Sequence, residues 1–567
     1  MSPPFRQILR TAYNFPVVPI PFPHRARLSQ RLAAILLLLP AFTLVAFVSC
    51  PAQAPSDAPA GATAHNTGRI LLVLPFDNRT GQPNLEWIRE AAPELLSSRF
   101  SSAGFSPMSR EDRLYALDHL GLPQGFQPSR ASSLKLAQTL DADSIIVGSY
   151  WTDASGFVAE AQVVDVPHLR MSEPVTERGQ MQDMIAIFDS LAWKLTRQLD
   201  PSFSVAEQTF VAAGAGLRLD AFEQYIRGIT EPDQAERLRH LEQAVKLSPD
   251  YSQAWMALGR EDYNGQQFEQ AAAAFAKVAH NDPDALEAGF YRGLSLLYSG
   301  DYAESEKAFA GVARVLPLAE VINNEGVALS RSGRDGLGFY RQAETADPRA
   351  PDYHFNIAVT LKRQGDGAGA DAELAQCLRL RPGDTEAQAL ERSWKQPPGA
   401  ATDDDSDARP DPLERIERRF DAAAFRQAAQ MLDEMDATQL AALAPADRAR
   451  RLAGQARVYL DRGLLLEAER LYQDAVAADG SVADGHAGLA EVRERAGDAT
   501  GARNEAHLAV NLAPSAQAYL VLARLDLAEN HLAEADTEAG EALKLDPASR
   551  PAAELRKTIE SREAPKP

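Results

Sequence analysis

The chain has 567 residues, a formal net charge of −21 and a hydrophobic content of 45%. By the usual length of a domain, this predicts roughly four domain-sized units with enough apolar residues for packed cores. The acidic excess argues against a nucleic-acid-binding surface, which needs Lys and Arg clustered against phosphates. Two cysteines, Cys50 and Cys377, are too few for a disulfide framework.

An uncharged apolar run covers residues 32–48, with several basic residues before it and no Lys or Arg after it until Arg69. This asymmetry predicts that residues 1–31 stay in the cytoplasm and that the body of the protein lies in the periplasm or elsewhere outside the cytoplasm. The run is short for a membrane-spanning helix and contains Pro40. Residues 32–50 are therefore predicted to be either a signal peptide or a single-pass membrane anchor.

The apolar run ends in FVSC, whose cysteine is Cys50. This ending resembles a bacterial lipobox, although Phe47 stands where the lipobox prefers Leu. The resemblance implies lipid modification of Cys50. The alternative is an incidental cysteine at the end of a membrane helix. Residues 51–68 are rich in Ala and Pro and are predicted to form a flexible tether between the membrane and the folded body.

Residues 69–201 alternate between strand-like and helix-like apolar patterns. Apolar runs or alternations predict strands at 70–74, 144–150 and 157–164. Apolar residues at helical spacing predict one helix from about Leu85 to Phe100 and another through residues 185–195. This order of elements predicts a small, compact α/β domain.

Three stretches of this domain, LPFDNRTGQPNLEW, DADSIIVGSYW and VAEAQVVDV, resemble the TolB-like α/β domain that accompanies tetratricopeptide repeats in bacterial exported and signalling proteins. In that family the Pro-Phe-x-Asn turn is a structural signature with no catalytic role. The resemblance implies that Asp77 and Asn78 hydrogen-bond the backbone of their own turn, as Asx residues do. The alternative is a small-ligand site, because polar residues after a buried strand often line one.

The rest of the chain carries a repeat of 34 residues, which separates Gly259 from Gly293 and Phe275 from Phe309. This is the period of the tetratricopeptide repeat, a helical hairpin that stacks into a solenoid. Small residues are expected where the two helices approach closely, and prolines where the second helix ends. The positions that match the repeat are Trp255, Leu258, Gly259, Ala271, Phe275, Pro283, Gly293, Phe309, Pro317, Ala370 and Pro382.

The repeats are predicted to form two arrays, 220–394 and 413–563, separated by an acidic, Pro-rich linker at 395–412. A degenerate hairpin from about Leu413 to Ala442 is expected to open the second array. The linker aspartates have the spacing of a calcium loop but lack its turn glycine, which favours a solvated linker. The period continues in the second array at Ala468, Ala502, Pro514, Ala535 and Pro547. The predicted fold class is multidomain: a small α/β domain followed by two all-α tetratricopeptide solenoids.

In tetratricopeptide hairpins the first helix lines the concave face, so the resemblance implies a partner groove there. Its side chains are expected one turn on either side of the small-residue contact. These residues are Met256, Arg260, Phe290, Leu294, Asn323, Phe355 and Val359. The set is mostly apolar and lacks the paired Lys and Asn with which family members bind a C-terminal carboxylate, so it predicts an apolar partner segment. The alternative is that Phe290 and Phe355 are buried within their own hairpins.

The sequence contains no G-x-x-x-x-G-K-[ST], H-E-x-x-H or G-x-S-x-G motif, and its ten histidines are scattered. We therefore expect no enzymatic activity, cofactor, metal or nucleic-acid partner. Stacked hairpins without catalytic motifs predict an interaction scaffold whose partners are other envelope proteins, attached to the membrane through its N-terminus. The alternative is a sensory protein in which the α/β domain binds a small ligand and the repeats relay the bound state.

Overall fold

The structure is a computed structural model that describes residues 70–123, 129–154, 156–214, 216–280, 282–395, 412–421, 431 and 435–563. The predicted cytoplasmic segment, signal or anchor with Cys50, and tether all lie outside the described residues, and so do linker residues 396–411. Within the described ranges, every helix is too short or too polar to cross a bilayer.

A mixed sheet of seven described strands forms the centre of the N-terminal domain. The strands are β1 (Ile70–Val73), β2 (Asp77–Asn78), β3 (Ser106–Pro107), β4 (Ser144–Asp153), β5 (Gly156–Asp165), β6 (Arg170–Met171) and β7 (Val175–Gly179). Strand β1 pairs in parallel with β3 and β4, and β2 also pairs in parallel with β4. Strand β5 is antiparallel to β4, β6 and β7.

Helices cover both faces of this sheet. They are α1 (Ile88–Ser102), α2 (Arg110–His119), α3 (Arg130–Thr139) and α4 (Met184–Leu199). Successive side chains of β1 point to opposite faces, so Leu71 packs in one core with α1 and α4, while Leu72 packs in another with α2 and α3. The α/β domain predicted from the sequence is confirmed, because its apolar strands are buried on both faces.

After a short helix, α5 (Glu207–Ala212), five helical hairpins and a closing helix form the first array. The helices are α6 (Leu219–Thr230), α7 (Gln234–Leu247), α8 (Ser252–Asn264), α9 (Phe268–Phe275), α10 (Ala285–Ser299), α11 (Tyr302–Val315), α12 (Ala319–Arg331), α13 (Leu337–Ala346), α14 (Pro351–Arg363), α15 (Gly367–Leu380) and α16 (Thr385–Lys395). Consecutive helices contact each other, as the solenoid prediction requires.

The second array contains three described hairpins and a closing helix. The helices are α17 (Pro445–Asp461), α18 (Leu465–Ala478), α19 (Ala483–Arg495), α20 (Ala499–Leu512), α21 (Ala516–Ala528), α22 (Leu532–Leu545) and α23 (Arg550–Glu563). The predicted fold class, a small α/β domain followed by two helical-repeat arrays, is therefore the fold of this chain.

Close helix approach within a hairpin depends on glycine facing an aromatic ring. A Cβ atom added at Gly259 would lie 2.7 Å from Phe275, and one added at Gly293 would lie 2.8 Å from Phe309. Real Cβ contacts are longer, so each glycine gives the ring the space it occupies. Phe275 also lies 6.0 Å, ring centre to ring centre, from Tyr291 of the next hairpin, and so it links two hairpins.

The other repeat positions divide into buried and exposed groups. The buried members are Leu258, Ala271, Ala370, Ala468, Ala502 and Ala535, and Trp255 is partly buried. The exposed members are Pro283, Pro317, Pro382, Pro514 and Pro547. Four of these prolines lie two residues after the second helix of a hairpin, where a missing amide proton and a fixed φ stop the helix from continuing. Pro283 is the exception, because it lies eight residues after the helix has ended at Phe275.

Both arrays contact the α/β domain. Trp87 of the domain lies edge-on to Phe222 of α6, with ring centres 6.3 Å apart. From the second array, Arg470 of α18 donates a hydrogen bond to the carbonyl oxygen of Ser102 at 3.1 Å. In addition, the amide of Ala206 donates to Glu469 Oε1 at 3.2 Å. The α/β domain is thus a common support for the start of both arrays.

The hairpin expected to begin at about Leu413 is not present over residues 412–421, so that boundary prediction is wrong there. These residues form neither helix nor strand, and they run along the first array. Residues 435–441 are helical, and the regular hairpins of the second array begin at Pro445. The apolar residues of this segment, Leu413, Ile416 and Phe420, follow helical spacing, which explains why the sequence suggested a helix.

Candidate functional site

Two asparagines of the first array occupy the same repeat position. Asn324 in α12 stands two residues before Gly326, and Asn356 in α14 stands two residues before Ala358. Both asparagines are fully buried. A buried carboxamide loses free energy unless its donor and acceptor both find partners. Segment 412–421 supplies these partners.

Each asparagine binds the main chain of one residue in the segment. Asn356 Nδ2 donates to the carbonyl oxygen of Arg415 at 2.8 Å, and the Arg415 amide donates to Asn356 Oδ1 at 2.6 Å. Asn324 makes the same two bonds with Glu417, at 2.8 and 2.9 Å. The two side chains therefore bind an extended backbone at alternate residues, much as a neighbouring strand would.

Asn323 connects the two contacts. Its Nδ2 donates to the Arg415 carbonyl oxygen at 3.0 Å, and its Oδ1 accepts a bond from Asn356 at 2.8 Å. Because Asn323 and Asn356 belong to different hairpins, this network fixes the spacing of the two hairpins together with the position of the segment. We call Asn323, Asn324 and Asn356 the asparagine ladder.

Glu414 of the segment enters a basic site. Its side chain is only 2% exposed. Ser330 Oγ donates to its carboxylate at 2.5 Å, and Arg363 forms an ion pair with the same carboxylate. Arg331 donates to the Glu414 carbonyl oxygen at 3.1 Å. A buried carboxylate is tolerated only when it is paired and hydrogen-bonded in this way.

Arg415 enters an acidic site beside the ladder. Its guanidinium binds both carboxylate oxygens of Asp384, at 2.6 and 2.8 Å. It also contacts Asp352 at 3.0 Å and Glu386 at 2.9 Å. The guanidinium carbon lies 3.6 Å from the centre of the Phe355 ring, a cation–π contact. Burial would raise the pKa of Asp384, but hydrogen bonds from Arg415 and the Ala387 amide, together with the charges of Arg415 and Arg381, lower that pKa below its usual value.

The last contact is apolar. The ring of Phe420 lies edge-on to Phe290 of α10, with centres 5.7 Å apart. Ile416 packs against the same core cluster, which also contains Phe309 and Tyr340. Because edge-to-face aromatic pairs are favourable beyond the area they bury, Phe420 fixes the far end of the segment.

The structure brings three of the predicted groove residues, Phe290, Asn323 and Phe355, to the segment. Among the described contacts, no hydrogen bond, ion pair or ring contact joins the other four to the segment. Leu294, Val359 and Met256 are buried in hairpin cores, and Arg260 binds Glu287 of the next hairpin at 2.6 Å. Phe290 and Phe355 are also fully buried, so they serve the hairpin core and the groove together. Partner binding by these residues stays a prediction.

The sequence analysis missed most of the polar lining. The missed residues are Asn324, Ser330, Arg331, Asp352, Asn356, Arg363, Asp384 and Glu386. The lining around the segment is therefore more polar than the predicted set of groove residues, and the preference for an apolar partner stays a prediction. A usable signal was the recurrence of Asn at one repeat position, since buried amides are rare without a ligand or partner.

The turn after β1 forms a closed network of its own. Asn78 Oδ1 accepts bonds from the amide and the hydroxyl of Thr80, at 3.0 and 2.6 Å. Asn78 Nδ2 donates to the Gln82 carbonyl oxygen at 3.2 Å and to Glu86 at 2.9 Å. This network holds the turn ahead of α1. The small-ligand role considered for the turn stays a prediction.

The sequence matches no protein-family model and no curated protein. Parts of it resemble several solved structures. YrrB, described as a TPR protein with an unusual peptide-binding site, is 14% identical, with 36% of this chain and 99% of that chain covered and a TM-score of 0.27. MamA from Desulfovibrio magneticus RS-1 is 19% identical, with 30% and 99% covered and a TM-score of 0.27.

TTC0263, a thermophilic TPR protein from Thermus thermophilus, is 16% identical, with 31% of this chain and 98% of that chain covered and a TM-score of 0.24. TM-scores at this level say nothing about what the present chain binds. Its own hairpins and glycine–aromatic contacts are the features that define its architecture. The helical part of the chain is thus a pair of tetratricopeptide-like arrays that follow a small α/β domain.

Proposed function

We propose that this protein is a non-enzymatic interaction scaffold, attached to a membrane outside the cytoplasm through its N-terminus. The groove of its first array binds an extended segment of a partner protein. The observation that carries the proposal is the pair Asn324 and Asn356, each of which binds the amide and carbonyl of one residue of an extended chain.

The chemistry of the groove favours holding a segment over reacting with it. Main-chain groups are the same in every polypeptide, so the asparagine ladder provides affinity for an extended backbone without regard to sequence. The charged side chains beside it are paired with the opposite charge of the segment, as in Asp384 with Arg415 and Arg363 with Glu414. These pairs provide selectivity, because a segment without them would remove the two-pronged partner of the buried Asp384 and the carboxylate partner of Arg363.

Chemical crosslinking in the native envelope tests the scaffold role. The wild-type chain is compared with Asn324→Ala/Asn356→Ala, and Gln364→Ala is the matched control because this exposed amide lies at the end of α14 and bonds only Asp335 among the described contacts. We expect the crosslinked partners of the wild type and the control to be absent from the double variant. An unchanged set of partners in a folded double variant would contradict groove binding.

The membrane attachment needs its own test, and it rests on the lipobox-like FVSC sequence. The intact mass of the mature N-terminus should correspond to a lipid-modified Cys50, and Cys50→Ser should prevent that processing. A mature N-terminus well before Cys50 would contradict the lipoprotein and leave the single-pass anchor. Both results leave the groove proposal unchanged.

A further inference from the structure

We propose that residues 412–421 are an internal ligand of the first array, and that a partner binds by replacing them with a segment of the same side-chain pattern. The pattern is an acidic residue, an arginine, an aliphatic residue, three unrestricted residues and an aromatic residue. In this chain it is Glu414, Arg415, Ile416 and Phe420. The inference rests on the proposed function of the groove and specifies its occupant.

The arginine position is the most selective. Asp352, Asp384 and Glu386 converge on the guanidinium of Arg415, and Asp384 binds it through two parallel hydrogen bonds. The ring of Phe355 packs against the flat face of the same guanidinium. A lysine cannot reproduce the two-pronged contact. An uncharged residue would leave Asp352 and Asp384 with Arg381 alone as their described ion-pair partner, and Glu386 with none among the described ion pairs.

The acidic position precedes it directly. Arg331 and Arg363 extend from the ends of α12 and α14, and Ser330 adds a hydroxyl donor to the same carboxylate. Arg363 also donates to the carbonyl oxygen of Pro412 at 2.7 Å. Adjacent basic and acidic sites therefore accept Glu-Arg in that order. The reverse order would place like charges together in both sites.

The unrestricted positions are those whose side chains face solvent. Glu417, Arg418 and Arg419 are exposed, and the Glu417 carboxylate accepts bonds only from the amides of Arg418 and Arg419 among the described contacts. The groove binds Glu417 through its main chain alone, by way of Asn324. A partner can therefore carry other residues here.

The contacts also set the direction of a partner. Glu414 and Arg415 lie at α14 and α16, whereas Phe420 lies at α10, so the segment runs from the end of the first array towards its start. Since the basic, acidic and aromatic sites have a fixed order along the array, a partner segment must run in the same direction.

The internal ligand restricts access to the groove. Residues 396–411 join the segment directly to α16, so its attachment to the groove is intramolecular. A short tether gives an effective concentration on the order of millimolar, and a free segment of equal intrinsic affinity must compete with it. In the wild type, the segment therefore outcompetes weak ligands, and a partner must make additional contacts to displace it.

The test uses the full-length chain in detergent and a fluorescent synthetic peptide, PLERIERRFD, which copies residues 412–421. The release variant is Glu414→Ala/Arg415→Ala, which removes the internal side chains that fill both charged sites. Its matched control is Glu417→Ala/Arg418→Ala in the exposed part of the same segment. A third chain adds Asn324→Ala/Asn356→Ala to the release variant. Circular dichroism verifies that each chain is folded.

We expect the peptide to bind the release variant at least about tenfold more tightly than it binds the wild type or the control, because the tethered competitor is weakened. The ladder substitutions should abolish this binding. Equal binding to the wild type and the release variant would overturn the internal ligand while leaving groove binding intact. Absence of binding to the release variant would overturn the side-chain pattern, and the envelope crosslinking experiment would then judge the scaffold role separately.

A second copy of the chain is the competing occupant. Sedimentation of the wild type over a range of concentrations distinguishes the two cases. A monomer at all concentrations supports a segment bound within its own chain. A dimer that disappears in the release variant would overturn the proposal in favour of segment exchange between copies.

Discussion

Asn324 and Glu417 are joined by two hydrogen bonds across 93 residues of sequence: the carboxamide donates to the Glu417 carbonyl oxygen at 2.8 Å and accepts from the Glu417 amide at 2.9 Å. A buried asparagine side chain in a repeat helix thus makes the two main-chain hydrogen bonds that a neighbouring β-strand would make to this segment. The contact links the architecture of the first array to the function proposed for it.

Loss of these bonds should expose the segment to protease. Asn324→Ala removes both bonds to Glu417, which lies next to the exposed Arg418 and Arg419. A net loss of about 0.5–1.5 kcal/mol for each of the two hydrogen bonds would raise the population of the released segment roughly five- to 150-fold. We expect trypsin to cut after Arg418 or Arg419 correspondingly faster. Gln364→Ala is the control, and an unchanged cleavage rate in Asn324→Ala would contradict the ladder contact.

Overpacking the first array should damage it locally. Gly293→Leu places side-chain atoms where a Cβ would already lie 2.8 Å from Phe309, so we expect a loss of about 1–3 kcal/mol in the free energy of unfolding. Gly311→Ala is the matched control, because a Cβ at Gly311 in α11 meets no heavy atom within 4 Å. Hydrogen exchange should show lost protection near α10 and α11 only. Equal loss in the second array would contradict independent hairpin stacking.

The stability of the α/β domain should depend on Glu94 of α1. Burial, and then repulsion from Glu111, raise the pKa of Glu94 from 4.5 to about 7, although Arg113 opposes the shift. The folded state therefore prefers the protonated acid, and its stability falls as the pH rises from 4.5 towards 7.

Glu94→Gln keeps the side chain neutral at every pH. We expect it to change the free energy of unfolding little at about pH 4.5 and to increase it above about pH 7, by up to about 3 kcal/mol. Urea unfolding at both pH values measures this difference. The exposed Glu173→Gln is the control and should have little effect at either pH. A stabilisation by Glu94→Gln that is the same at both pH values would contradict the raised pKa.

The sequence predicted those parts of the fold that depend on local or repeated patterns of residues. Leu71 and Leu72 indicate a strand buried on both faces. Gly259 and Phe275 recur one period later at Gly293 and Phe309, because the two helices of each hairpin pack through the same glycine–aromatic contact. These regularities predicted the α/β domain and the arrays.

The groove could not be predicted in the same way. Segment 412–421 is not helical because residues 29 to 130 positions away bind it, and no local pattern records such contacts. Its own spacing of Leu413, Ile416 and Phe420 favours a helix, and the tertiary contacts override that preference. The ion pair of Asp384 and Arg415 could not be predicted from the sequence, because only folding of the array brings the two side chains together.

Hydrogen exchange at the amides of Arg415 and Glu417 tests whether the asparagine ladder binds segment 412–421 in solution. Each amide donates to a buried asparagine, Asn356 or Asn324, in the wild-type chain. We expect both amides to be protected in the wild type, and we expect Asn324→Ala/Asn356→Ala to abolish the protection while the helices of the first array stay protected. Exchange in the wild type as fast as in the free peptide PLERIERRFD would contradict this binding.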